Sequence, residues 1–122
     1  MILADTSVWI DHLRSSDERL VALLERTEVV MHSFVSGELA LGNLAQRAII
    51  LGTLQDLPQA SVASDEEVLH FIEKRSLFGR GIGYVDAHLL AAVQLTPGTS
   101  LWTHDKRLHA TAESLSLAAK VV

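Results

Sequence analysis

Short apolar runs alternate with amphipathic stretches along this 122-residue sequence, and that alternation is what most constrains its fold. Runs of about four apolar residues predict buried strands, whereas apolar residues at every third or fourth position predict helices. The predicted strands cover residues 1–4, 29–32, 59–62, 100–103 and 118–122. The predicted helices cover residues 7–14, 18–26, 34–41, 45–54, 64–75 and 106–113, and one that starts at 84 and ends at Thr96-Pro97-Gly98.

This order of strands and helices predicts an α/β fold of three layers, with a central parallel sheet of four to five strands flanked by helices. The length suits one domain over residues 1–122, with a core of its own. No apolar run reaches the roughly 18 residues of a membrane span, and no signal peptide is evident, so a cytoplasmic protein is expected. The sequence has no cysteine, which excludes disulfides and thiolate metal ligands.

Four acidic residues lie beside the predicted buried segments. Asp5 and Asp105 follow the strands at 1–4 and 100–103, and Glu38 and Asp86 lie near the starts of apolar helices. In open parallel sheets the binding crevice lies at the carboxyl ends of the strands, where the following helices also begin. We therefore expect the four carboxylates to meet in one crevice.

Four carboxylates in one crevice need a positive partner. Two carboxylates 4 Å apart repel by roughly 4 kcal/mol even at an effective dielectric constant near 20. Mg²⁺ and Mn²⁺ prefer oxygen ligands and leave positions open for water and substrate phosphate. The pattern thus predicts a Mg²⁺ or Mn²⁺ site that acts on phosphodiesters. The formal charge of −5 argues against a nonspecific nucleic-acid coat protein, but it is compatible with a nuclease whose acidic site a metal neutralises.

Each acid also has a purely structural interpretation. Asp5 and Asp105 suit the N-caps of the helices that follow them. Glu38 is harder to explain in this way, because Phe34 and Leu41 share its helical face and a charge on an apolar face needs compensation. The joint occurrence of the acids favours a site. Ser33 is a further predicted N-cap, and Ser64 with Glu67 has the spacing of a capping box.

Basic and histidine side chains give weaker signals. Arg80 lies in the segment Gly79-Arg80-Gly81-Ile82-Gly83, and Arg107 follows Asp105 by two positions. Both arginines are expected at the rim of the acidic crevice, where they would contact RNA phosphates. No histidine pair has the i, i+4 spacing of a helical zinc site, so the histidines are expected at the surface or at its edge. His104 alone is a candidate substrate contact.

Four short motifs carry a resemblance to a known family. They are Asp5-Thr6-Ser7, Ser36-Gly37-Glu38-Leu39, residues 83–91 and Leu101-Trp102-Thr103-His104-Asp105. With these motifs in this order over the whole chain, the sequence resembles PIN-domain ribonucleases and, within them, the VapC-type toxins of toxin–antitoxin pairs.

The resemblance implies a parallel sheet between helices and metal-dependent cleavage of RNA by an activated water. It implies Mg²⁺ or Mn²⁺ bound by the four acids, which here are Asp5, Glu38, Asp86 and Asp105. Ser7 and Thr103 match the hydroxyl residues that hold these acids in place. The resemblance also implies a homodimer and a cognate antitoxin that can place a basic side chain in the site. Trp9, Leu13 and the helix at 20–24 are candidates for the antitoxin groove.

Two enzyme or signalling classes fit less well, and one binding function stays open. A haloacid-dehalogenase-like phosphatase needs a second Asp two residues after its nucleophile, and this chain has Ser7 there. A phosphoacceptor receiver domain needs an Asp after its third strand, and residues 59–62 supply none. A non-catalytic protein-interaction module with an acidic pocket fits the same residues as the nuclease. Mg²⁺-dependent RNA cleavage would separate the two.

Overall fold

The computed structural model describes residues 1–121. Its three strands are β1 (Ile2–Ala4), β2 (Val29–Val30) and β3 (Ser100–Trp102). The helices described are α1 (Thr6–Arg14), α2 (Glu18–Glu25), α3 (Ser33–Ala40), α4 (Arg47–Gln55), α5 (Asp65–Lys74), α6 (Tyr84–Leu95) and α7 (Lys106–Ser114). Each helix begins within two residues of the position that the apolar periodicity predicts. In this part of the chain no helix is long and apolar enough to cross a membrane, and the longest, α6, has 12 residues.

The sheet is parallel throughout, in the order β2-β1-β3, with Leu3 opposite Val30 on one side and Leu101 on the other. The predicted α/β fold with a parallel sheet among helices is confirmed. The predicted count of four to five strands is wrong, because residues 1–121 form three.

The two missing strands are reduced to single bridges at the sheet edges. Gln59 makes one parallel bridge to Met31, and Ala118 makes one to Leu101. The segment at 59–62 follows Pro58, which has no N–H for a ladder, and most of its side chains face solvent. Pairing of further residues in this segment with β2 would bury little apolar surface, so the ladder stops after one bridge. The last residue of the strand predicted at 118–122 lies outside the described part of the chain.

The core forms where the strands meet α6. Leu3, Met31 and Leu101 are fully buried, and every residue from 87 to 93 in α6 is buried as well. A helix that is apolar all round packs in the interior of a protein rather than against one face. This placement holds the first turn of α6 close to the sheet edge at which β1 and β3 end.

Two predicted helix starts had different outcomes. The Ser64 capping box is confirmed: Ser64 Oγ accepts from the Glu67 N–H at 3.1 Å, and Glu67 Oε1 accepts from the Ser64 N–H at 2.9 Å. The predicted N-cap Ser33 is wrong, because Ser33 is already helical and His32 is the cap. The His32 Nδ1 atom accepts from the Phe34 N–H at 2.9 Å. An imidazole nitrogen therefore caps this helix in place of the side-chain oxygen of Asn or Asp.

Candidate active site

Asp5 is the first residue after β1 and the N-cap of α1, and its side chain is buried. Its Oδ1 atom accepts from the backbone N–H of Ser7 at 3.0 Å and of Val8 at 3.4 Å. Asp5 therefore does cap the following helix, as its position in the sequence predicts. These bonds hold the carboxylate at the end of the strand without neutralising its charge.

Two hydroxyl groups join Asp5 to the turn after β3. Ser7 Oγ donates to Asp5 Oδ1 at 2.5 Å, and Thr103 Oγ1 donates to Oδ2 at 2.6 Å. Each hydroxyl also accepts a backbone N–H at 3.0 Å, Ser7 from His104 and Thr103 from Asp105. Both oxygens of Asp5 are thus oriented by side chains that are themselves fixed by the backbone.

Asp105 and Glu38 are each anchored through one oxygen. Asp105 is the N-cap of α7, where Oδ1 accepts from the Leu108 N–H at 2.9 Å. Glu38 Oε1 accepts from the Thr6 hydroxyl at 2.6 Å. Within residues 1–121 the second oxygen of each has no hydrogen-bond donor. One oxygen per side chain is therefore free to accept from a ligand.

The pKa of Asp86 is affected by the charges of the other three acids. Burial raises the pKa of its carboxyl group, and the negative charges of Asp5, Asp105 and Glu38 raise it further. The Gly83 N–H, which donates to Asp86 Oδ2 at 3.0 Å, opposes that rise. In the described chain no Lys, Arg or His forms an ion pair with any of the four acids. The charges of the other three acids therefore act on Asp86 without a paired basic side chain to offset them.

Glu38 acts electrostatically on Asp86, but it does not lie on the buried apolar face that Phe34 and Leu41 predicted for it. Glu38 is exposed and lies in the second half of α3, not near its start. Leu41, expected beside it on a buried apolar face, follows the last residue of the helix and is 89% exposed. Asp86 does lie in the first turn of its helix, and Leu89 and Leu90 one turn later are buried.

The carboxylate oxygens of the four acids are of the kind that hard divalent cations prefer, but they do not form a preassembled coordination sphere. Among residues 1–121, no three His, Asp or Glu side chains are placed so that they could hold a metal ion together. Mg²⁺ usually keeps several waters and takes only one or two carboxylates directly. Asp5 Oδ2 has a single donor, and Asp86 Oδ1 has none in the described chain, so lone pairs remain for such an ion.

Comparison with known proteins identifies the family. Residues 2–114 match the PIN domain. The chain belongs to the PIN-domain family. It is 52% identical to ribonuclease VapC32 of Mycobacterium tuberculosis strain CDC 1551 / Oshkosh, over 99% of this chain and 99% of the relative. The same identity and coverage relate it to ribonuclease VapC32 of strain ATCC 25618 / H37Rv. The resemblance to VapC-type PIN ribonucleases is thereby confirmed.

Two residues that hold site groups in this PIN domain were missed from sequence. Thr6 bonds Glu38, and Asp11 Oδ2 lies 2.5 Å from the Nδ1 atom of His104. Thr6 directly follows Asp5, so its place in the motif was a usable signal. Asp11 is one helical turn after Ser7 on α1, but nothing local links it to a histidine 93 positions later. His104 itself stands at the edge of the acidic cluster.

Neither candidate arginine forms an ion pair with any of the four acids in residues 1–121. Arg80 Nη1 donates to the Ser114 hydroxyl at 2.7 Å, and the Arg107 side chain packs against Gly81. Both are exposed and tie the segment at 79–83 to α7. Their contact with RNA stays a prediction.

The histidines and the apolar groove differ from expectation. His32 and His88 are fully buried, so the prediction of surface histidines is wrong for these two. Trp9 and Leu20 belong to the core and cannot form the exposed surface expected of them. A groove of about 430 Å³ lies instead between α1, α3 and α4 and reaches the acidic cluster, lined in part by Ile10, Leu13, Glu38 and Leu44.

Proposed function

We propose that this PIN domain is an endoribonuclease that depends on Mg²⁺ or Mn²⁺ and acts as the toxin of a toxin–antitoxin pair. The observation that carries the proposal is that burial and three neighbouring carboxylates raise the pKa of Asp86, while no basic side chain in residues 1–121 forms an ion pair with any of the four acids. A fold keeps such an arrangement at a cost in stability, which a bound divalent cation would offset. The two relatives named ribonuclease support the same reaction.

In the proposed mechanism Asp5 and Asp86 would hold one cation directly, and Glu38 and Asp105 would hold its waters or complete a second site when RNA is bound. When bound, the cation lowers the pKa of a water and neutralises charge on the phosphate. Both inner carboxylates are restrained before any ligand arrives, Asp5 by two hydroxyl groups and Asp86 by the Gly83 N–H. Restraint of this kind keeps the lone pairs aimed at the site.

The remaining groups have supporting roles. Ser7 and Thr103 orient Asp5 without contacting RNA. Glu38 is exposed and bonded through one oxygen only, so its other oxygen can accept from water or from a ribose hydroxyl. Arg80 and Arg107 contact phosphates at the rim. Hydrolysis needs no nucleophile from the protein: the water oxygen forms a bond to phosphorus, the bond from phosphorus to the ribose oxygen breaks, and that oxygen takes up a proton to balance the one that the water loses.

The biological setting is part of the proposal. Residues 1–122 act as one nuclease domain in the cytoplasm, as a homodimer, on RNA. A cognate antitoxin lays an apolar segment in the groove beside Ile10 and Leu13 and brings a basic side chain to Glu38. That groove connects exposed apolar surface with one of the four acids, so one bound segment can cover both.

Substitution of Asp5 tests the reaction. Asp5→Asn is isosteric and removes one charge, so the purified variant should keep its fold and lose most Mg²⁺-dependent cleavage of RNA. Glu73→Gln, which neutralises an exposed acid on α5, is the matched control and should cleave like the parent. Cleavage by Asp5→Asn at the parent rate would contradict the metal assignment. A parent that binds a partner but cleaves no RNA with Mg²⁺ or Mn²⁺ would favour the interaction module.

A further inference from the structure

Two exposed aromatic side chains border the glycine segment that precedes Asp86. Phe78 is 63% exposed just before the glycine segment, and Tyr84 is 47% exposed two positions before Asp86. A cavity of about 200 Å³ lies between them, lined also by Leu77, Gly79, Ile82 and Gly83. We propose that this cavity binds one unpaired base of the RNA substrate, stacked on the ring of Phe78. The inference rests on the proposed function and adds a base-binding subsite to it.

Tyr84 is held rigidly although it is half exposed. Its hydroxyl donates to Asp65 Oδ1 at 2.9 Å, and its ring meets that of His88 edge to face at 4.7 Å. His88 is buried, so this wall of the cavity is supported by the core. A wall that is already ordered loses little entropy when a ligand binds.

Phe78 faces solvent because the chain beneath it is fixed. The preceding residue, Leu77, is buried, and its N–H donates to the Ile72 carbonyl at 2.9 Å. The following residue, Gly79, has φ of +72° and turns the chain away. The backbone on either side of Phe78 is therefore fixed in a conformation that leaves the ring outside the core. An aromatic side chain kept outside the core in this way is available to a ligand.

The neighbouring charges favour a nucleotide over an apolar peptide. Arg80 lies two residues after Phe78, and Arg107 packs against Gly81 in the same segment, so two exposed cations belong to the loop that lines the cavity. Gly83 lines the cavity, and its N–H donates to Asp86, so one residue borders both the cavity and the acidic cluster. In the proposed complex, a strand with a phosphate at the acids places a neighbouring base against the rings. Aromatic faces accept unpaired bases of any sequence.

Three variants of the parent protein test the subsite. Affinity is measured for a single-stranded oligoribonucleotide and for the same sequence in a duplex, over a salt series, with Ca²⁺ replacing Mg²⁺ to suppress cleavage. Phe78→Leu keeps apolar bulk but loses the aromatic face, and should weaken single-strand binding roughly ten-fold. Its salt slope and its duplex affinity should not change, since stacking involves neither phosphates nor paired bases. Phe78→Tyr should bind like the parent.

Leu69→Ala, which truncates an exposed side chain on α5, is the control for lost surface apolar area and should have no effect. Thermal unfolding checks that each variant is folded. Parent-like binding by Phe78→Leu, or an equal loss in Phe78→Tyr, would overturn the subsite and leave the nuclease proposal intact if the parent cleaves RNA. If Phe78→Leu instead changed only the oligomeric state, the cavity would be a protein contact. A parent that neither binds nor cleaves RNA would overturn both proposals.

Discussion

The side chain of Arg107 lies directly against the backbone of Gly81. A Cβ atom at residue 81 would stand 2.9 Å from both Cδ and Nη1 of Arg107, and the φ of Gly81 is +76°. Asp105 lies two positions before this arginine, and Asp86 follows the glycine segment. The contact therefore couples two loops that each lead to an acid of the site.

Gly81→Ala and Gly98→Ala form a matched pair that isolates this contact. Both glycines have φ above +70°, so alanine costs each about 1 kcal/mol of backbone strain. Only at residue 81 does the new methyl group meet Arg107, since nothing lies within 4 Å at residue 98. Strain should lower the thermal stability of both variants, and the clash should lower that of Gly81→Ala further. RNA affinity and cleavage should fall only in Gly81→Ala. Equal activity in the two variants would place the RNA path away from Arg107.

Asp86→Asn should stabilise the metal-free protein while it abolishes cleavage. The pKa of Asp86 is raised in the folded chain, so its ionised form is less favourable there than in the unfolded chain. The destabilisation is present above the folded pKa and disappears as pH falls through it. The thermal midpoint of Asp86→Asn at pH 7.0 should therefore exceed that of the parent in buffer with EDTA. A lower midpoint would mean that repulsion in the cluster is unimportant.

Thr103→Val separates orientation of Asp5 from metal binding. The valine is close in shape but removes the hydroxyl that donates to Asp5 Oδ2 at 2.6 Å and accepts from the Asp105 N–H. Loss of such a supporting bond typically costs 10–100-fold in metal affinity or activity. Calorimetric titration with Mn²⁺ should therefore show weakened but measurable binding. Complete loss of Mn²⁺ binding would identify Thr103 as a ligand.

His32 should make stability depend on pH below neutrality. Burial, assisted by His88, lowers the pKa of His32 to about 4, from about 6.5 in an unfolded chain. Above pH 6.5 the group is neutral in both states. As pH falls from 6.5 to 4 the unfolded chain takes up the proton first, so the free energy of unfolding should drop by about 3 kcal/mol.

His32→Asn keeps an acceptor for the helix cap and removes the titration, so urea denaturation of this variant should show a correspondingly flatter pH dependence. His70→Asn alters an exposed imidazole and should follow the parent. The prediction fails if the two variants have the same pH profile.

Thr27→Gly should stabilise the protein. Thr27 has φ of +54° at the end of α2, where the Glu28 N–H donates to the Leu23 carbonyl and the Thr27 N–H to the Leu24 carbonyl. Glycine is the residue that this helix ending favours. Glycine removes the strain of the left-handed conformation but loses more backbone entropy on folding. The net increase in the free energy of unfolding should be about 0.5 kcal/mol. Thr53→Gly within α4 should instead lower the free energy of unfolding by a few tenths of a kcal/mol, and urea denaturation of both variants measures the two changes.

Local patterns were enough for most of the secondary structure. The strand at 2–4 is an apolar run, the Ser64 box is a four-residue motif, and α6 ends where Thr96-Pro97-Gly98 begins. Interactions between residues a few positions apart determine such features, so the features can be predicted before the fold is known. The N-cap positions of Asp5 and Asp105 belong to the same class.

Tertiary structure alone decided the features that join distant segments. The sheet stops at three strands in residues 1–121 because burial at its edges, not the strand pattern, sets how far pairing extends. Glu38 faces the other acids from an exposed position that its apolar neighbours did not predict. Thr103 bonds Asp5 across 98 positions, and His104 meets Asp11 across 93. The sequence determined which residues end each strand and begin each helix, whereas packing decided which of those ends touch, because contacts between loops leave no periodic trace in the chain.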